Sequence, residues 1–254
     1  MKLPHFSKLR KGVAFFLAGL GTSVSVGLST SAPASAISWG QLLFNGVQLL
    51  QLSNISTEQK DALGRDIHQQ VRSNYRLGTN AYVSRVGQRL AKASDCSDTP
   101  FKFYVVQNSS INAFATTGGY VYVHTGLLKA VDNEDQLAGV LGHEIAHICN
   151  DDVINKLRQA QLAQGAASLA GLDRSTVASV AYKLAVDLPN SRDAEFNADD
   201  RGLQYMQRAG YNPNAMPAFL SKLVNQRSTP TFLSDHPGAR ERISVLQRKI
   251  AAGR

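Results

Sequence analysis

The run Glu134-Asp-Gln-Leu-Ala-Gly-Val-Leu-Gly-His-Glu-Ile-Ala-His-Ile-Cys149 constrains this 254-residue chain more than any other segment. Leu137, Val140, Leu141, Ile145 and Ile148 recur at three- and four-residue intervals, which predicts a helix packed into the body of the fold. Gly139 and Gly142 thin that helix and suit close approach of another element. The same helix carries His143, Glu144 and His147, and polar side chains of this kind are costly to bury without partners. Two histidines four apart sit one turn from each other, offset by about 40° around the axis, so both imidazoles can face one ion. A glutamate directly after the first histidine stands beside that ion, where it can take a proton from water. This is the arrangement of zinc-assisted hydrolysis. A surface helix with two solvated histidines is the competing reading, and the apolar neighbours argue against it.

A catalytic zinc takes a third protein ligand and leaves a position open. Asn150 and Val153 stand where a glycine and a third histidine would continue the helix motif, so that class is excluded. Cys149, two residues past His147, lies on the wrong side of the helix. A better candidate is Asn190-Ser-Arg-Asp-Ala-Glu-Phe-Asn-Ala-Asp-Asp-Arg-Gly-Leu-Gln-Tyr205, a second predicted helix started by Pro189 and Asn190. Glu195 and Asp199 share a face there. Glu195 can ligate the ion, while Asp199 can accept a hydrogen bond from a ligand histidine and fix its tautomer. Read alone, the segment is better taken as a solvated acidic face with Asp193 and Asp200.

Taken together, His143–His147, Ser191–Asp199, and His236-Pro237 with Arg242 beyond resemble the zinc metallopeptidases typified by HtpX and the CAAX prenyl proteases. The soluble bacterial-envelope members of that gluzincin family are the nearest in pattern. The likeness runs from about Leu77 to Leu246 and includes Ile111–Leu128. Members usually carry a proline before the paired glycines, where this chain has Thr117. After the helix motif they often carry an arginine-histidine pair, where this chain has Asn150-Asp151-Asp152. The resemblance implies one zinc per chain on His143, His147 and Glu195, Glu144 as the base, and Asp199 as the outer partner of a ligand. It also implies that His236 and Arg242 steady the oxyanion, although Arg242 read by itself is equally a salt-bridge residue.

The N-terminus reads as a secretory signal over residues 1–36. Lys2, Lys8, Arg10 and Lys11 precede the apolar Val13–Leu20, and Ala34-Ser35-Ala36 offers a cleavage site. The apolar run is short for a membrane span. The signal contributes four positive charges and no negative one, so the net charge of +8 falls to +4 for residues 37–254. That is an ordinary surface and implies no nucleic-acid partner. Export permits a disulfide between Cys96 and Cys149, but the sequence leaves their pairing open.

Residues 37–254 form one predicted α+β domain, with a helical region over 37–93 and a catalytic core over 94–254. Ile37–Leu52 is an uncharged amphipathic helix suited to packing or to membrane-surface contact. A helical region follows from Thr57, as a cap, to Ala93. Phe101–Gln107 reads as a strand, and Ala113–Ala115 and Tyr120–His124 as a hairpin around Thr117-Gly118-Gly119, with His124 a sheet residue. Asn155–Leu188 is a long helical stretch interrupted by Gly165, Gly171 and Asp173, a helical pair over the cleft. Helices to about Gln226 and over Pro237–Ile250 complete the chain. The expected architecture is zincin-like, a small, mainly antiparallel sheet packed on the metal helix and surrounded by helices. A free hairpin edge can pair with an extended substrate. The expected function is a zinc-dependent endopeptidase of the cell envelope, periplasmic or otherwise extracytoplasmic, acting on unfolded or damaged proteins. The alternative is a zinc-containing chaperone for unfolded chains with little or no proteolysis.

Overall fold

The computed structural model describes residues 55–164 and 174–253. The expected signal, the amphipathic segment Ile37–Leu52, and Gly165, Gly171 and Asp173 lie outside the described residues. The first helix, α1 (Thr57–Asn74), is capped by Ser56 rather than Thr57. The Ser56 hydroxyl accepts from the Gln59 N–H, and the Gln59 side chain accepts from the Ser56 N–H. This reciprocal pair satisfies two donors that a helix start otherwise strands. A short strand β1 (Leu77–Gly78) and helix α2 (Ala81–Ala93) follow, the latter capped by Asn80.

Three more strands, β2 (Lys102–Val106), β3 (Ala113–Thr116) and β4 (Tyr120–His124), complete a four-stranded sheet of order β1-β2-β4-β3. The expected hairpin joins β3 to β4 with Ala113 opposite Val123. Its turn uses Gly118 and Gly119 at φ +76° and +84°, the left-handed region that side chains other than glycine rarely enter. β1 and β2 are antiparallel, but β2 and β4 are parallel, with Lys102 opposite Tyr120 and Val106 opposite His124. The sheet is therefore mixed, with two of its three ladders antiparallel as expected. Alternation along the strands divides the core. Phe103, Val105, Ala113, Ala115, Val121 and Val123 pack toward α2 and the metal-motif helix. Val106, Phe114, Tyr120 and Tyr122 pack toward α1 and a later helical pair. His124 ends β4 as a buried sheet residue, beside the Ser110 hydroxyl at 2.7 Å.

After a short helix α3 (Thr125–Ala130), the motif helix α4 (Glu134–Cys149) starts at Asn133, whose side chain accepts from the Gln136 N–H. Next come α5 (Asp152–Gln164) and α6 (Arg174–Val186), which pack on each other, with α6 also against α1 and β3. The long α7 (Arg192–Arg208) lies along α4. Glycines allow this, because a Cβ on Gly202 would fall 3.0 Å from the His143 backbone nitrogen, and one on Gly142 3.2 Å from the Gly202 carbonyl. The chain ends in α8 (Ala215–Val224), a short α9 (Thr231–Asp235) and α10 (Ala239–Ala251). Among the described residues no helix is long and apolar enough to cross a membrane.

Cys149, the last residue of α4, is bonded to Cys96 in the loop after α2, across 53 residues of sequence. A loop of that length places the chain-entropy contribution of the bridge at about 4 kcal/mol. The Cys96→Ser, Cys149→Ser variant should lose about 2–4 kcal/mol of stability in urea unfolding. A loss under about 1 kcal/mol would show that the bridge contributes little.

Candidate metal centre

Three elements bring four polar side chains to one buried point. From α4, His143 and His147 turn their rings edge to face with centroids 4.5 Å apart. Their Nε2 atoms are only 3.0 Å from each other. From the first turns of α7, whose start is capped by the Ser191 hydroxyl, Glu195 reaches in. Its Oε2 lies 3.3 Å from His143 Nε2 and its Oε1 3.3 Å from His147 Nε2. His236, which ends α9, adds its Nδ1 at 3.0 Å from Glu195 Oε1 and 3.2 Å from His143 Nε2. One donor atom from each of these four residues lies within 4.8 Å of all the others, and all four residues are buried.

The far sides of both motif rings are occupied by carboxylates. Asp199, one turn after Glu195, stands 3.0 Å from His143 Nδ1. Asp152, the first residue of α5, accepts from His147 Nδ1 at 2.7 Å. A proton held at each Nδ1 leaves each Nε2 a bare lone pair. Two bare nitrogens and a carboxylate then converge, a set that repels itself unless a proton or cation lies between them.

Charge points the same way. Glu144, Glu195 and Asp199 are buried with Asp152 and Asp235 toward the rim, against the buried guanidinium of Arg242 and the Lys156 ammonium beside the cleft. Burial drives the Glu195 carboxyl upward, yet His236 and His143 hold it well below the usual carboxylate range. Burial likewise raises Asp199, and Arg242 with His143 more than reverses it. His147 is lowered by burial but raised further by Asp152 and Glu195, to about 10. The imidazoles thus take up protons that a bound cation would displace. The mixed nitrogen and oxygen donors, their convergence and the excess negative charge together fit a divalent metal.

Arg242 is placed differently from the expected oxyanion role. Its Nε and Nη2 donate to Asp199 at 2.7 Å each, and its Nη1 donates to the His236 carbonyl at 3.2 Å. The same Nη1 is 2.5 Å from Glu195 Oε2, an ion contact without hydrogen-bond alignment. This fully buried guanidinium has the contacts of a buried salt bridge, with its donors committed to Asp199 and the His236 carbonyl. His236 stands at the cluster itself, with its Nε2 3.5 Å from Glu144 Oε1.

Glu144 is fully buried, and both of its carboxylate oxygens lack a hydrogen-bond partner. It lines a narrow cleft of about 20 Å³ together with Ala115, His147, Asp152, Lys156, Asn190 and His236. Ala115 belongs to β3, the edge strand of the sheet, but all of β3 is buried beneath its neighbouring helices rather than left free. Sequence reading missed two residues here. The Asn190 amide donates to Glu195 Oε1 at 2.8 Å and approaches His147 Nε2 at 3.2 Å, and Asp152 holds His147. Asn190 lies in the break before α7 and Asp152 at the first position of α5, where periodicity carries no signal.

Residues 78–250, well over half of the chain, match the profile of Peptidase family M48. The chain is 32% identical over 222 residues to a beta-barrel assembly-enhancing protease of Yersinia pestis, covering 78% of this chain and 45% of that protein. It is 28% identical to the mitochondrial metalloendopeptidase OMA1 of Schizosaccharomyces pombe, covering 82% and 68%. With the metalloprotease YcaL of Escherichia coli it shares 27% identity, covering 67% and 72%. It spans less than half the length of the assembly-enhancing proteases it matches. The donor cluster and its two helices fall inside the matched region, and the chain belongs to peptidase family M48.

Proposed function

We propose that this metalloendopeptidase uses one zinc ion per chain, held by His143, His147 and Glu195, to cut internal peptide bonds of unfolded proteins in the cell envelope. The convergence of two outward-anchored imidazoles with the Glu195 carboxylate carries the proposal. Zinc there supplies an acidified water and a polarised scissile carbonyl. Glu144, its oxygens free of other partners, accepts the proton of the attacking water and carries it to the departing amine. His236 Nε2, close to Glu144, donates to the oxygen that gains negative charge. Asp199 orients His143, and Arg242 holds Asp199. The signal read at residues 1–36 supports export. A purely binding chaperone has no use for a buried, unpartnered glutamate beside the ligands, so the hydrolytic reading is favoured.

Glu195→Gln should lower zinc affinity by at least about 10-fold, while Asp193→Asn and Asp200→Asn leave it near wild type, read by competition with a chromogenic chelator. Full zinc retention in the Glu195 variant would overturn the ligand assignment. Because the imidazoles carry protons before the ion enters, zinc uptake should release protons, and affinity should fall as pH falls. Calorimetry in buffers of different ionisation enthalpy reads that release directly. New protein N-termini, compared between envelopes with active enzyme and with Glu144→Gln, would identify the substrates.

A further inference from the structure

We propose that Asp152 is a positioning residue of the metal centre, fixing the His147 imidazole as Asp199 fixes that of His143. The inference rests on the zinc reading above. Asp152 Oδ2 accepts the His147 Nδ1 proton at 2.7 Å, the shorter of the two carboxylate–imidazole contacts.

The tripeptide Asn150-Asp151-Asp152 is built to deliver that carboxylate. α4 ends at Asn150, and Asp151 turns the chain with φ +56°, the one described residue other than glycine in the left-handed region. That conformation is uncommon outside glycine, with aspartate and asparagine several-fold enriched in it. Neighbours clamp the turn, with the Lys60 ammonium 2.5 Å from Asp151 and the Arg201 guanidinium bonded to the Asn150 side chain. α5 then starts at Asp152 and directs it back to His147, five residues earlier in sequence. An aspartate at a helix start is favourable on its own account, so the test must separate orientation of the imidazole from helix capping.

The test uses Asp152→Ala, Asp152→Asn and Asp152→Ser in the mature, disulfide-bonded protein, with helix content checked by circular dichroism. Zinc affinity by chelator competition should fall about 10–100-fold in Asp152→Ala. Asp152→Asn, which keeps a neutral acceptor, should fall in between. Asp152→Ser keeps a capping group but is too short to reach His147, and should behave as alanine does. Histidine-selective 15N spectra of the zinc-loaded protein should show the His147 Nδ1–H resonance displaced or lost in Asp152→Ala, and the His143 resonance unmoved. Asp199→Asn should do the reverse. An alanine variant within twofold of wild-type affinity, or with an unmoved His147 Nδ1–H, would overturn the proposal. A serine variant that binds zinc as tightly as wild type would show that capping alone is the role. A wild-type chain that takes up no zinc would overturn the metal reading itself, and this proposal with it.

Discussion

Glu144→Gln should lower kcat on an unfolded protein substrate by about 10²–10⁴-fold while the chain keeps its metal. The substitution preserves volume and leaves His143, His147 and Glu195 untouched. It replaces a carboxylate able to accept a proton with an amide that cannot. The large effect follows from the surroundings, since neither oxygen of Glu144 is committed to a hydrogen bond within the protein and both are left to the attacking water. Because the interaction is made in the transition state, kcat and kcat/KM should fall together, with KM little changed. Unchanged turnover would remove Glu144 as the base. A parallel loss of zinc would mean instead that the residue shapes the binding site.

The second large effect is on stability. Arg242→Met keeps the approximate volume and removes the charge, and it should cost about 3–5 kcal/mol in urea unfolding of the metal-free protein. Removing the guanidinium would take from buried Asp199 its bidentate partner, and a buried charge that loses its main partner is far more costly than a missing surface contact. The sign with pH follows from Asp199. Its folded pKa is depressed, burial being outweighed by Arg242 and His143. The stabilisation is therefore present above the ordinary carboxyl pKa of about 4 and is lost as pH falls through the lower folded value. The gap between wild type and Arg242→Met should narrow across that acidic range. A cost below about 1 kcal/mol at neutral pH would contradict the pairing.

Much of the centre was legible because helical spacing is rigid. Four-residue steps placed His143 with His147, and Glu195 with Asp199, before any contact was known. Gly142 foretold a close neighbour, which proved to be α7 at Gly202. The hairpin around Gly118-Gly119 was legible because its turn needs left-handed residues. Other features depend on tertiary placement that no local pattern encodes. The parallel β2–β4 ladder arises because β3 passes to the sheet edge before the chain returns as β4. Asp152 reaches the site from the first position of α5 and Asn190 from the break before α7. Arg242 was legible as a residue of the centre, but sequence does not tell which neighbours claim a guanidinium, here Asp199 and the His236 carbonyl. Cys96 and Cys149 could be paired only once α2 and α4 were seen side by side.

The most direct measurement is zinc content and cleavage on one preparation of the mature protein. Elemental analysis should give one zinc per chain, chelation should abolish cleavage of an unfolded protein, and one equivalent of zinc should restore it. Cleavage that persists in the metal-free protein would contradict the account.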